Sequence, residues 1–385
     1  MKLCPHPRSL ALLTAGFGTV LALSACGSSS GSHPGGTNSA SAQDAKLTQS
    51  AQAQISKYLS VPAFTPPGPA VDAAKAKGKT ILVVAHDLVS DELVGIANGV
   101  KQAGAAAGLQ VSIYNGEGQP STIQQGIQRG ISERVGAILL DGVAANLVPT
   151  VLQAATAAHV PVVGMTIGLP SEGGGGPGVD AAAAADNNLM GELIADTAIV
   201  KGDGTVRAIL EDFNNPDSVG VVAGIKKAFA QCPSCKIVAT ADVEPPDWPT
   251  QLATTTASLV QSNPTANFVL PTADTMGIFA TAGIQQAGAA SRVKVVSADG
   301  SGAGPLSLVQ KGTVYIADPG ASPSWTGWLG VDQALRLMTG MKPGNPVVPT
   351  RYLDSANLGS LNVSSDSALY GDGYEIGFRK LWGLS

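Results

Sequence analysis

His86-Asp87 is the first pairing in this chain that could shuttle a proton or grip a polar solute. A base beside a carboxylate activates a nucleophile in many hydrolases, but a hydroxyl or thiol must lie within reach. The sequence offers none in a suitable setting. Gly27-Ser28-Ser29-Ser30-Gly31 has the G-x-S-x-G spelling, yet lacks the strand before and the helix after that would expose a nucleophile. Cys232-Pro233-Ser234-Cys235 is a C-x-x-C, open to redox, zinc or disulfide readings. It follows a helix pattern (Ser218 to Ala230) and precedes a strand pattern (Lys236 to Thr240), the reverse of a thioredoxin-like site. Zinc would need two more ligands, and from Lys79 onward the only histidines are His86 and His159. A disulfide between Cys232 and Cys235, closing a turn outside the cytoplasm, is therefore expected. Residues 73–80 and 173–178 fail as phosphate loops, the first for want of its leading Gly and the second for want of Lys or a preceding strand. No catalysis, cofactor or metal is expected.

The bulk composition limits the partners. The chain has 385 residues, of which 44% are hydrophobic and only 13% charged, with a net charge of −5. That is about half the usual charged share. No basic cluster exceeds isolated pairs such as Lys226-Lys227, so nucleic acid is not an expected partner.

At the N-terminus, Lys2 and Arg8 precede a short apolar run, Ser9 to Leu23, too short and too rich in Gly and Ala for a membrane span. It ends in Leu23-Ser24-Ala25-Cys26-Gly27, which resembles a bacterial lipobox. The resemblance implies a signal peptide at 1–25, cut before Cys26, and lipid on the Cys26 sulfur. Residues 26–55 are read as a flexible tether: Ser28 to Ala45 is mostly Ser, Gly, Ala, Asn and Thr, without a large apolar residue. About 20 such residues span roughly 25 Å.

From Lys79 onward, short β-branched runs alternate with amphipathic stretches. Thr80–Ala85 reads as a strand, followed by a helix with Leu93, Ile96, Ala97, Val100 and Ala103 on one face. Strand patterns recur at 111–114, 137–140 and 161–165, then again at 205–210, 236–240, 268–270, 293–297 and 314–318, with helix patterns between them. This is the rhythm of βα units on parallel sheets. Two such series predict an α/β fold of two Rossmann-like, doubly wound lobes. Tyr370 to Trp382 carries apolar and aromatic residues and is expected to dock on a lobe.

The order of these motifs resembles type I periplasmic binding proteins, the ribose- and galactose-binding group that serves ABC importers. Thr80 to Val100 looks like the first βα unit of that family. Asp186-Asn187 and Gly191 are similar to its first crossover, Val295 to Gly300 to a late strand with an acidic end, and Gly312 to Ala317 to its second crossover strand. The resemblance implies three crossover segments, with lobe 1 at 79–185 plus 319–345 and lobe 2 at 186–318 plus 346–385. It also implies a monomer that closes on solute by hinge bending and hands it to a permease, outside the cell membrane and held there by its lipid.

Ligands of open α/β sheets lie beyond the carboxyl ends of the strands. That places His86, Asp87, Ser90, Leu93, Asp141 and Thr166 at the edge of lobe 1, with Asn187 at the first crossover. Phe213, Asn214, Asp274 and Asp299 fall at the edge of lobe 2. Trp248 sits in a polar loop where the family places an aromatic that stacks on a sugar ring. Of Trp325 and Trp328, one is expected to face the cleft, and Trp325 is favoured. Pocket arginines of the family are replaced here by Ile167 and Val219, and the Asn before the acidic residue at 274 by Ala273. A pocket without Arg suits a neutral or mildly basic solute, not a phosphate or carboxylate. A sugar or polyol is expected, with a nucleoside or small aromatic as the alternative, and a membrane signalling partner as the alternative to a permease.

Overall fold

The computed structural model describes residues 38–169, 175–213, 216–344 and 346–384. Helix α1 (Asn38–Ser56) comes first. Then follow β1 (Thr80–Ala85), α2 (Asp91–Ala107), β2 (Gln110–Asn115), α3 (Pro120–Ser132), β3 (Ala137–Asp141), α4 (Pro149–Ala157), β4 (Val162–Met165) and β5 (Ala181–Ala185). The strands pair in parallel, with Val83 opposite both Ile113 and Leu139. Buried on both faces, β1, β3 and β4 can be continuously apolar.

The second lobe runs from α5 (Asn187–Lys201) through β6 (Val206–Asp212), α6 (Pro216–Phe229), β7 (Cys235–Asp242), α7 (Ala253–Ser262), β8 (Phe268–Pro271), α8 (Asp274–Gln286), β9 (Lys294–Val296) and α9 (Ala303–Lys311) to β10 (Tyr315–Ala317). The chain then turns through β11 (Gly320–Ala321), α10 (Pro323–Met338), β12 (Val347–Val348) and β13 (Thr350–Arg351). It ends in α11 (Ser355–Leu358), α12 (Asp366–Tyr370) and α13 (Gly373–Leu381). The first sheet has the order β12-β5-β4-β3-β1-β2 and the second β10-β9-β8-β6-β7, both parallel, while β11 and β13 form an antiparallel pair. These are two parallel α/β lobes with crossovers after β5, around β11 and around β13. Helix α10 returns to lobe 1 and packs on α2 through glycines. A Cβ on Gly99 would lie 2.5 Å from the Ser324 carbonyl oxygen, so only Gly lets the backbones approach this closely.

Cys232 and Cys235 are disulfide-bonded, with an S–S distance of 1.99 Å, at the turn between α6 and β7.

Three boundaries differ from the sequence reading. Residues 38–56 are helical, where a tether was expected up to residue 55, because α1 finds a surface. Ala51 and Ile55 are buried, and Gln54 donates to Glu192 of α5 at 3.1 Å. Residues 347–348 belong to the first sheet, where β12 pairs with β5, and not to lobe 2. The C-terminal α13 also leaves lobe 2 and docks on α10 of lobe 1, where Trp382 stacks on Trp328 at 5.4 Å and Phe378 on the same ring at 6.2 Å. The lobes are therefore joined by more than three segments. Residues 57–72 lead from α1 on lobe 2 to a helical turn at Ala73–Ala76, against α10. Residues 359–372 lead from α11, which packs on α9, back to lobe 1.

Candidate functional site

On lobe 1, β1 hands the chain to His86 and Asp87 at its carboxyl end. His86 Nδ1 and Asp87 Oδ2 are 2.8 Å apart. Asp87 Oδ1 accepts from the amides of Val89 at 2.8 Å and Ser90 at 3.4 Å. Burial pushes the Asp87 carboxyl up, but the His86 bond, the Val89 amide, the His86 charge and the Ser90 amide outweigh it. The result lies below the ordinary value, so Asp87 is ionised. An ionised carboxylate only accepts, so Nδ1 of His86 carries the proton. Ser90 is buried as the N-cap of α2, and Leu93 lies one turn in, packed toward Gly142. At the end of β3, Asp141 is fully buried, with Thr166 Oγ1 3.5 Å from its Oδ1. Thr166 holds φ at 49°, an uncommon conformation for a β-branched residue, while its hydroxyl donates to the Met165 carbonyl at 2.7 Å. Asn187 is buried at the first turn of α5, beside Gly220 of α6. The structure thus gathers His86, Asp87, Ser90, Leu93, Asp141 and Thr166 along one sheet edge.

On lobe 2, Asp274 begins α8 and is fully buried. Its Oδ2 accepts from Ser301 N at 2.9 Å and Ser301 Oγ at 2.7 Å, and its own amide donates to Asp299 Oδ2 at 3.2 Å. Burial pushes the Asp274 carboxyl up to about 7; the Ser301 bonds oppose this and the charge of Asp91 adds to it. Asp299 follows β9 with φ at 97°, which turns the chain into Gly300. Behind them Asp318, also fully buried, accepts from the Gly300 amide at 3.3 Å. Burial, then the charges of Asp274 and Asp299, hold it well above the ordinary carboxylate value. Glu211, near the end of β6, is buried as well, and burial pushes it up to about 8. Its Oε1 is 2.5 Å from Thr256 Oγ1, which lies 2.9 Å from the Leu252 carbonyl. Thr256 has a single proton. With Glu211 protonated and donating to Thr256, and Thr256 donating to Leu252, both contacts are satisfied.

The aromatic expectations change. Trp248 is 1% exposed, packed with Val243, Leu252, Ala273 and Met276 of its own lobe. Its indole N–H donates to the Val243 carbonyl at 2.7 Å, and its ring meets Phe213 edge to face at 5.2 Å. It opens a short π-helical turn, Trp248–Leu252, ahead of α7. The polar residues around it suggested an open platform, but Val243 before it, Leu252 after it and Ala273 and Met276 at α8 enclose it. Phe213 keeps partial exposure at this edge. Trp325 is not at the cleft: it stacks on Tyr374 of α13 at 4.8 Å, with Phe64 beside it. Trp328 lies in the same aromatic group. Asn214 lies outside the described residues.

The two edges meet. A Cβ placed on Gly302 of lobe 2 would strike the Asp91 carboxylate of lobe 1. The same construction on Gly118 finds Pro246 of lobe 2 at 3.6 Å and His86 at 3.8 Å. Sequence reading passed over Asp91, Ser301 and Asp318. Asp91 has the usual place of an acid in a helix's first turn, and Asp318 was counted only as the end of a strand pattern.

The sequence profile of the periplasmic binding protein domain family matches residues 81–342. Among curated proteins, no sequence matches the chain. Several solved structures share its fold. A glucose-galactose binding protein from Geobacillus stearothermophilus is 17% identical with a TM-score of 0.66, over 74% of this chain and 99% of that one. A 5-methylthioribose transporter solute binding protein from Thermotoga lettingae, in complex with 5-methylthioribose, is 19% identical with a TM-score of 0.66, over 80% and 94%. An ABC transporter solute binding protein from Mycobacterium smegmatis with bound glycerol is 21% identical with a TM-score of 0.64, over 75% and 98%.

Proposed function

We propose that the protein is an extracytoplasmic solute receptor of an ABC importer, because this chain belongs to the periplasmic binding protein domain family and its sheet edges are built to hold a small polar molecule. The observation that carries the reading is the meeting of two carboxylate-lined strand ends. His86, Asp87 and Asp141 lie at strand ends of lobe 1, Asp274 and Asp299 at those of lobe 2, and the lobes approach each other at Asp91–Gly302 and at Gly118–Pro246 beside His86. Such edges offer acceptors and donors for hydroxyl groups, while hinge bending supplies closure. The solute class is polar and sugar- or polyol-like. The likeness to receptors described with sugar, methylthioribose and glycerol ligands supports it. Candidate contacts are His86, Asp87, Ser90, Asp141, Thr166, Asn187, Phe213, Asn214, Asp274 and Asp299.

The lipobox-like segment supports anchoring through Cys26, which lies outside the described residues. In a host that processes lipoproteins, Cys26→Ala is expected to move the protein from the membrane fraction to the soluble one. Thermal-shift screening of the purified chain against sugars, polyols and nucleosides tests the receptor reading, since a ligand that binds only the folded state raises the melting temperature. A saturable shift confirmed by calorimetry is expected; a flat response to every class would count against it.

A further inference from the structure

We propose that Arg351 clasps the two added connections, residues 57–72 and 359–372, to the hinge, so that the links bend together and opening of the lobes is restrained. The inference rests on the reading that the lobes move about these links. It does not depend on which solute fills the cleft.

Arg351 stands on β13, in the third crossover, and is 5% exposed. Its partner across the antiparallel pair is Gly320 of β11, so the second and third crossovers meet at this residue. Its side chain reaches two further links. Nε donates to the Leu59 carbonyl of residues 57–72 at 3.3 Å, and Nη1 donates to the Leu369 carbonyl of residues 359–372. Four of the lobe-to-lobe connections thus converge on one residue. The next residue adds a second bond to the first strap: the Tyr352 amide donates to the Tyr58 carbonyl at 2.8 Å.

The chemistry suits a clasp. A buried guanidinium is costly unless its N–H groups find acceptors. Arg351 forms no ion pair among the described residues, so the strap carbonyls fill that role. Its planar fork serves two acceptors at once, which the compact ammonium of a lysine does less well.

Both straps are also fixed beyond the clasp. The first leaves α1 on lobe 2, and its Phe64 packs on Trp325 and Phe378 at 6.0 and 5.0 Å on the lobe 1 side. The second leaves α11 on lobe 2 and enters α13 on lobe 1. On the way its Asp366 accepts from Ser322, which follows β11, at 2.7 Å. Left slack, residues 57–72 could extend to roughly 50 Å and would not resist rotation of the lobes. Bonded beside the hinge strands, they must bend with them, and wider rotation strains the bonds at Arg351 and Tyr352. Opening from the arrangement in which Asp91 meets Gly302 and Gly118 meets Pro246 is held back. A receptor kept near that arrangement loses less of its binding free energy to closure.

Hydrogen exchange on the purified full chain without solute tests this, with wild type beside Arg351→Gln and Arg351→Lys. In Arg351→Gln, amides of both straps and of the lobe contacts at 116–119 and 299–303 are expected to exchange roughly tenfold faster. Amides of β1, β3, β6 and β8 should keep their rates. Arg351→Lys, which keeps the charge without the fork, should fall between. Faster exchange confined to the straps overturns the restraint on opening. A rise shared by the core strands, or no rise anywhere, overturns the clasp. Should neither variant fold, wild type alone decides. In urea below the unfolding transition, amides at 57–62, 350–353 and 366–372 should share one opening free energy, and separate values overturn the clasp. A flat solute screen would remove the receptor reading and leave these exchange rates as they are.

Discussion

Asp87 at the carboxyl edge of lobe 1 and Asp274 at that of lobe 2 are the same residue type in opposite electrostatic states. Asp87 of lobe 1 receives a histidine N–H and backbone amides, and these hold it ionised despite its burial. Asp274, Asp318 and Glu211 of lobe 2 are buried with fewer compensating donors, or with carboxylate neighbours, and all are raised. Asp87 is therefore a fixed acceptor. The lobe 2 edge holds carboxyls near their protonation point, able to donate as well as accept. A cleft between them can meet a hydroxyl with either hand. What decides the state is the local supply of donors, which the identity Asp or Glu does not reveal.

Several substitutions would break or sharpen that contrast. The largest effect is expected from Trp248→Ala, which empties the apolar floor under the lobe 2 edge and should cost about 3–5 kcal/mol in denaturant unfolding. A loss well below that would mean that the ring is exposed in solution. Next comes Glu211→Gln. A raised folded-state value means that wild-type stability falls as pH climbs from the ordinary 4.5 towards about 8. The amide should therefore gain about 1–3 kcal/mol at high pH over wild type, and nothing near pH 4. Asp87→Asn should show the mirror image. Its lowered value contributes stability above the unfolded value, lost as pH falls through the folded one. The variant should be weaker by about 1–2 kcal/mol at neutral pH, with the gap closing in acid. Parallel pH profiles for the two variants would abolish the distinction between the edges. The smallest change in stability, about 1 kcal/mol, is expected for Phe213→Ala, which is half-exposed. Its larger effect should appear in calorimetry, as weaker solute binding.

Much of the architecture could be read from the sequence because β1, β3 and β4 are runs of Ile, Leu and Val. Strand β5 could not: Ala181–Ala185 has no β-branched residue, and it is a strand because β4 and β12 flank it. Helix α1 was hidden for a related reason. Its Ser, Ala and Gln composition reads as solvated chain, and only α5 gives Ala51 and Ile55 something to bury against. Strand ends could be located, so His86, Asp87, Asp141, Asp274 and Asp299 were reachable. Trp248 and Trp325 were misread because a tryptophan's exposure depends on partners distant in sequence, such as Met276 for the first and Tyr374 for the second. The aromatic tail was visible, but the lobe it joins was not.

The two added connections, residues 57–72 and 359–372, lie outside the span matched to the family. With the three crossovers they make five covalent links across the boundary, 3 + 2, among the described residues. A protease that cuts one of the three crossovers leaves two fragments, and each still contributes to both lobes, because α1 packs on lobe 2 and α13 on lobe 1. Neither fragment can drift away without tearing a core apart. A single nick in a crossover would therefore leave the two halves interlocked.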